Sequence, residues 1–165
     1  MQDIYERARK VRVAIFDVDG VLTDGALYYG DSGAELKAFS VHDGHGIRML
    51  GEGGVAAAII SSRRSGALEA RARNLGIELL FQGAADKLAA FSEILGRCRV
   101  GAEACAYVGD DLVDLPVMER CGLAVAVPDA PAAVRRRAHY VTRARGGRGA
   151  VREICGIILH ARGLP

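Results

Sequence analysis

The sequence predicts a doubly wound α/β domain built on a parallel sheet, a single unit spanning residues 1–165. Three observations carry that expectation. Short runs rich in Val, Ile and Ala recur between helix-like segments. The runs are apolar throughout rather than alternating with polar residues, as in strands covered on both faces. Finally, 165 residues, 50% hydrophobic and 25% charged, suffice for one good core and fall short of two ordinary domains.

The first such run is Val11–Phe16. Val55–Ile60, Glu78–Phe81, Cys105–Val108 and Leu123–Val127 follow, with helical patterns near Gly44–Glu52, Ser65–Leu75, Lys87–Arg97 and Leu112–Cys121 between or after them. A last apolar helix is expected near Ala150–Arg162. One stretch breaks the alternation: in Ala26–Ser40, ALYYGDSGAELKAFS, two apolar groups flank a Gly-Asp-Ser-Gly turn. It reads as a β-hairpin projecting from the main sheet. A hairpin so small cannot bury its own apolar residues, so it lies on its own domain or against another subunit, and self-association is the favoured outcome. Past Pro131 the chain runs through Arg135–Arg137 and a Gly- and Arg-rich stretch from Arg143 to Gly149.

With 22 basic and 20 acidic side chains the formal charge is only +2, which gives no field suited to duplex DNA or an anionic membrane. No run of about eighteen apolar residues exists, and the start, MQDIYERARKVRVAIF, is polar where a secretory leader needs an apolar stretch. A soluble, cytoplasmic protein with neither nucleic-acid nor membrane partner is expected. Cys98, Cys105, Cys121 and Cys155 show no CxxC pairing and have apolar neighbours, so they read as reduced core residues rather than a zinc or disulfide framework. Among the basic residues only Lys10, Lys37 and Lys87 are lysines, which makes each of them conspicuous.

The aspartates cluster: Asp17, Asp19 and Asp24 in one place, Asp110, Asp111 and Asp114 in another. In open parallel sheets ligands bind beyond the carboxyl ends of the strands, and both clusters fall there. If the first and fourth strands are neighbours, several carboxylates meet, which is costly without a cation. Oxygen ligands with open water positions suit Mg2+. Helix capping accounts for Asp43, Asp86 or Asp114 taken singly. It does not account for IFDVDG, where two charges rim a buried strand. Ser61 follows AAAII and Lys87 opens the helix after the third strand. Carboxylate nucleophile, metal, hydroxyl and ammonium together are the parts that hold a phosphoryl group. A phosphorylation-dependent receiver module places similar residues on a sheet edge, but its phosphoacceptor follows the third strand, and here Phe81 is followed by Gln-Gly. An inactive oligomerisation module is the other non-enzymatic alternative, and the complete set of polar groups speaks against it.

At FDVDGVLTDG the sequence resembles the haloacid dehalogenase superfamily of phosphohydrolases. Ser61, Lys87 and Gly109-Asp110-Asp111-Leu-Val-Asp114 match its later motifs in order. Within it, VLTDG, Asp43-Gly-His-Gly-Ile-Arg48, LFQGAADK, YVGDDLVDLPVM and GGRGAVRE resemble the capless sugar-acid phosphatases over nearly the whole chain. The resemblance implies a magnesium-dependent phosphoric monoester hydrolase of lipopolysaccharide precursor synthesis, without a cap domain. It also implies a homotetramer whose active sites are completed by neighbouring subunits, with the hairpin as assembly element and GGRG as a tail closing over substrate. Asp17 is then the nucleophile, ionised as an ordinary Asp titrating near ~3.9, and Asp19 is the acid and base. Mg2+ is held by Asp17, Asp110 and the backbone carbonyl of Asp19, with Asp111 and Asp114 behind, while Ser61 and Lys87 bind phosphoryl oxygens. Arg63, and Arg148 from another subunit, would grip the sugar acid's carboxylate with paired hydrogen bonds. Arg63 favours an eight-carbon keto-deoxy acid over the nine-carbon alternative. Ser61-Ser62 stands where relatives carry Thr-Gly, Asp86 where they carry Asn, and His42 where they carry Arg; serine keeps the hydroxyl. His42 and His45 read as loop or surface residues.

Overall fold

In the computed structural model, which describes residues 2–164, the chain runs α1 (Gln2–Arg9), β1 (Val13–Phe16), β2 (Tyr28–Tyr29), β3 (Glu35–Leu36), α2 (Val41–Glu52), β4 (Ala56–Ile60), α3 (Gly66–Leu75) and β5 (Leu79–Phe81). It continues through α4 (Lys87–Cys98), β6 (Cys105–Gly109), α5 (Leu115–Met118), β7 (Leu123–Ala126), α6 (Ala132–Arg137), β8 (Tyr140–Val141) and α7 (Ala150–Ala161). Six strands form one parallel sheet in the order β5-β4-β1-β6-β7-β8. From β1 the chain winds outward through β4 to β5, then returns to the other side of β1 and winds through β6 and β7 to β8. Right-handed crossovers put the helices of the two halves on opposite faces. Accordingly α2 and α1 pack on α7, whereas α5 packs on α4 and α6. The winding reverses between β1 and β6, and every residue of both strands is buried. Burial on both faces is why these strands appear in the sequence as unbroken apolar runs.

Three elements escape the sequence reading, and all are short. Helix α1 buries only Ile4 and Ala8, α6 ends in three arginines, and β8 is two residues paired with β7. Helix α2 begins at Val41, ahead of the expected Gly44, because Ser40 caps it by accepting a hydrogen bond from Asp43 N at 3.3 Å. The expected helix Leu112–Cys121 is broken into a 3₁₀ turn, Leu112–Asp114, and the one-turn α5 with Pro116 near its start. The break arises because Asp114 turns inward to accept from Asp110 N (2.9 Å) and Asp111 N (3.1 Å).

The hairpin is present as a separate two-stranded sheet, with Tyr28 opposite Leu36 and Tyr29 opposite Glu35. Leu27, Tyr28, Tyr29 and Leu36 are exposed on it, as is Val41 at the start of α2. The Gly- and Arg-rich stretch is a turn seated on its own chain. Arg143 N and Ala144 N donate to the Glu153 carboxylate at 2.9–3.1 Å, and Gly147 N donates to Val21 O at 2.9 Å. At Gly146 a Cβ would lie 1.8 Å from the carbonyl oxygen of Gly20. Only a residue without a side chain lets the turn buttress the loop after β1. All four cysteines are free, and Cys105, Cys121 and Cys155 are buried.

Candidate active site

Strand register brings the two acidic clusters together. Phe16 pairs with Val108 across β1 and β6, so Asp17 leaves the sheet level with Gly109, directly before Asp110, and its N–H donates to Val108 O at 3.0 Å. Asp17, Asp110 and Asp114 each offer a carboxylate oxygen within 4.8 Å of the others. Lys87 reaches this cluster as the first residue of α4, whose N-cap is Asp86. Its buried ammonium donates to Asp17 Oδ1 and to Asp114 Oδ1, each at 2.7 Å.

Asp114 is completely buried and its acceptor capacity is spent. Oδ1 also accepts from the hydroxyl of Tyr107, itself buried in β6, at 2.6 Å; Oδ2 takes the Asp110 and Asp111 N–H groups. Asp114 therefore shapes the loop and orients Lys87, leaving Asp17 and Asp110 to face a cation. Asp111 is exposed, and its carboxylate accepts from Leu112 N at 2.7 Å.

The expectation that Asp17 titrates as an ordinary carboxylic acid is not met. Burial, and next the charge of Asp114, push its carboxyl up to about 6 despite Lys87. Burial and the neighbouring Asp17 push Asp110 to about 8. One ammonium thus leaves the cluster short of positive charge, and the donors are hard oxygens at the mouth of a sheet. That shortage and that donor chemistry fit Mg2+.

Gly20 makes the approach of the two loops possible. It has φ +93°, and a Cβ there would lie 2.0 Å from Asp110 Oδ2. Gly20→Ala should cost about 1–3 kcal/mol through backbone strain and the clash. It should also raise the magnesium concentration needed for half-maximal activity. Chemical denaturation and a metal titration check the two effects; an unchanged metal requirement would argue against the placement of Asp110.

Ser61 is buried just past β4, and its hydroxyl accepts from Arg63 N at 3.2 Å. Strand β4 lies beside β1 with Ile59 opposite Phe16, which sets Ser61 at the same edge as Asp17. Arg63 stands half-exposed at the mouth, where its guanidinium donates to Glu35 at 2.9 Å and to the Tyr29 hydroxyl at 3.4 Å. The Asp19 carboxylate is paired with Lys37 of the hairpin segment and lies 3.9 Å from Arg63 Nε. Arg148 lies in the docked turn, 3.6 Å from Asp24 of its own chain.

Several groups at or near the site carry no assignment from sequence: Lys37, Glu35, Tyr107, Arg48 and Arg71. The scarcity of lysine is the signal that could have flagged Lys37. Asp43 is a cap, but for a different helix from its own: its carboxylate accepts from Arg152 N, in the first turn of α7, at 2.8 Å. A cleft of about 330 Å³ between α2 and α3 gathers His42, His45, Arg48 and Arg71. Arg71 donates to Ser40 O at 2.9 Å and Arg48 to Asn74 O at 2.8 Å. Among the described residues no carboxylate is within ion-pairing distance of either guanidinium. Burial and the charge of Arg48 push the Arg71 pKa down.

Residues 70–154 match the family model described as haloacid dehalogenase-like hydrolase. The chain is 52% identical over 160 residues to the 3-deoxy-D-manno-octulosonate 8-phosphate phosphatase of Yersinia pestis, an alignment covering 97% of this chain and 86% of that one. The chain belongs to the haloacid dehalogenase-like hydrolases. Members of known structure superpose closely. A probable YrbI family phosphatase from Pseudomonas syringae has a TM-score of 0.97 at 52% identity, covering 99% of this chain and 93% of that one. The 3-deoxy-D-manno-octulosonate 8-phosphate phosphatase of Moraxella catarrhalis, solved with magnesium, phosphate and KDO, has a TM-score of 0.96 at 40% identity, covering 99% of this chain and 94% of that one. The hydrolase fold expected from the motifs is therefore the fold observed. No helix among the described residues is long and apolar enough to cross a membrane.

Proposed function

We propose that this protein is a magnesium-dependent phosphoric monoester hydrolase that converts 3-deoxy-D-manno-octulosonate 8-phosphate to KDO and phosphate, in the cytoplasm, as one domain without a cap. The observation that carries the reaction class is the Asp17–Asp110 pair where the sheet's winding reverses, with Lys87 fixed against Asp17 at 2.7 Å. The substrate rests on the relatives, one of them solved with magnesium, phosphate and KDO.

Asp17 attacks phosphorus, forming an aspartyl-phosphate as the bond to the sugar oxygen breaks. Asp19 gives that oxygen a proton and later takes one from the water that hydrolyses the intermediate. Lys87 and Ser61 hold the phosphoryl oxygens as their charge redistributes. Asp17, Asp110 and the Asp19 carbonyl would hold the magnesium ion, which when bound offsets the repulsion between an anionic nucleophile and an anionic ester.

The sugar acid's carboxylate calls for a guanidinium. Arg63 stands at the mouth of its own site, though Glu35 already engages it. Arg48 and Arg71 have no carboxylate within ion-pairing distance among the described residues and would serve a neighbouring subunit, as would Arg148. A homotetramer fits this arrangement: the site has no cap, and the hairpin's Leu27, Tyr28, Tyr29 and Leu36 are exposed. Apolar surface of that kind marks an interface.

The deciding experiment is phosphate release from a panel of eight- and nine-carbon sugar-acid phosphates, with and without a chelator. The eight-carbon ester should be preferred and chelation should abolish release. Preference for the nine-carbon ester would replace the substrate, and silence across the panel would sink the enzymatic reading.

A further inference from the structure

The hairpin does more at the mouth than present apolar residues. Lys37, one residue past β3, has a side chain only 2% exposed. Its ammonium is enclosed between Asp19 Oδ1 and Glu35 Oε1, the latter at 2.8 Å. Glu35 also accepts from Arg63 at 2.9 Å, and Arg63 Nε faces the second Asp19 oxygen at 3.9 Å. Two cations and two carboxylates thus close a ring that ties the hairpin to the loop after β1 and to the loop after β4.

Ordering and covering a lysine costs hydration and rotamer freedom, and surface ion pairs return little. A hairpin serving assembly alone would leave this ammonium in water. Asp19 has no other side-chain partner among the described residues, so the hairpin fixes where its carboxylate sits. We propose that Lys37 is a positioning residue, delivered by the hairpin to hold the Asp19 carboxylate in line for proton transfer with the leaving-group oxygen. The inference rests on the acid–base reading of Asp19 given above.

In that reading the proton on the Asp19 carboxyl passes to the sugar oxygen as its bond to phosphorus breaks and Asp17 bonds to phosphorus. In the second half, water's oxygen bonds to phosphorus, its proton returns to Asp19, and the bond to Asp17 breaks. Lys37 keeps its own protons throughout.

A leaving group that needs no proton separates this role from general support of the fold. An alkoxide requires protonation to depart, whereas p-nitrophenolate does not. Lys37→Met should lower kcat/KM for 3-deoxy-D-manno-octulosonate 8-phosphate by at least about 10-fold, part of the roughly 10²–10⁴-fold that a positioned general acid contributes. For p-nitrophenyl phosphate the change should stay within about two-fold, because that step draws little on the acid. Equal losses on the two esters would overturn the proposal. Asp19→Asn is the reference. If it shows no such split, the acid–base reading itself fails; if it shows the split and Lys37→Met does not, only the role of Lys37 fails. Lys37→Met added to Asp19→Asn should cost nothing further on the sugar ester, and an additive loss would place Lys37 outside this function. Should Lys37→Met not fold, Lys37→Arg is read on the same esters. It keeps the charge on a different stem and should show a smaller split, and its absence would overturn the proposal.

Discussion

Asp17→Asn should abolish phosphate release, by at least about 10⁴-fold, the order of loss that follows removal of a covalent nucleophile. The substitution preserves shape and removes the charge that attacks phosphorus. Asp17 is buried at the end of β1, its backbone N–H is bonded to Val108 O, and Lys87 holds its Oδ1. The amide therefore occupies the same place with the fold intact. Circular dichroism and phosphate release, both at saturating magnesium, make the measurement. Near-normal turnover in a folded variant would refute the aspartyl-phosphate route.

Lys87→Met should cost about 3–5 kcal/mol of stability, since it strips the cation from buried carboxylates and leaves them unpaired. Methionine fills the space of the lysine stem, so little of that loss comes from a cavity. The deficit depends on pH. Asp17 and Asp110 already titrate above 3.8, at about 6 and about 8, because of burial and, next, the charge of Asp114 acting on Asp17 and of Asp17 acting on Asp110. A carboxyl whose folded pKa is raised binds more protons when folded, so stability falls as pH rises from the unfolded value through the folded one. Removing Lys87 raises Asp17 further. The gap between variant and wild type should therefore be small near pH 4 and widen toward neutrality. Magnesium should narrow it, because the folded variant, with one fewer positive charge at the site, binds the cation more tightly than the folded wild type does. Denaturation in chelator and in magnesium across this range tests both points; a gap that does not change with pH would show that the ammonium is not neutralising these carboxylates.

The docked Gly146–Gly147 turn and the ring around Lys37 show how much of this site is built by segments far from it in sequence. Both act on one short loop. The turn presses on the backbone of Gly20, where a Cβ at Gly146 would strike the carbonyl oxygen. Lys37 and Arg63 hold the Asp19 side chain. The geometry of Asp17, Asp19 and Asp110 is thus set by the hairpin, the turn before α7 and the β4 loop together.

The sequence alone located five of the six strands of the main sheet, the hairpin and the polar groups that gather at the sheet edge. Doubly covered strands must be apolar along their whole length, which made Val13–Phe16 and Cys105–Gly109 legible. Asp17, Ser61, Lys87 and Asp110 were legible because polar side chains at the carboxyl ends of such strands have no structural reason to gather there. Tertiary structure decided what depends on neighbours distant in the chain. It spent both oxygens of Asp114 on Tyr107, Lys87 and two backbone amides, and it seated GGRG against the loop after β1. It moved Asp17 away from the ordinary carboxylate range and engaged Arg63 with Glu35. Periodicity and residue type report which face of an element is buried, whereas a hydrogen-bond partner or a shifted pKa is a property of the space between elements, which only the folded chain defines.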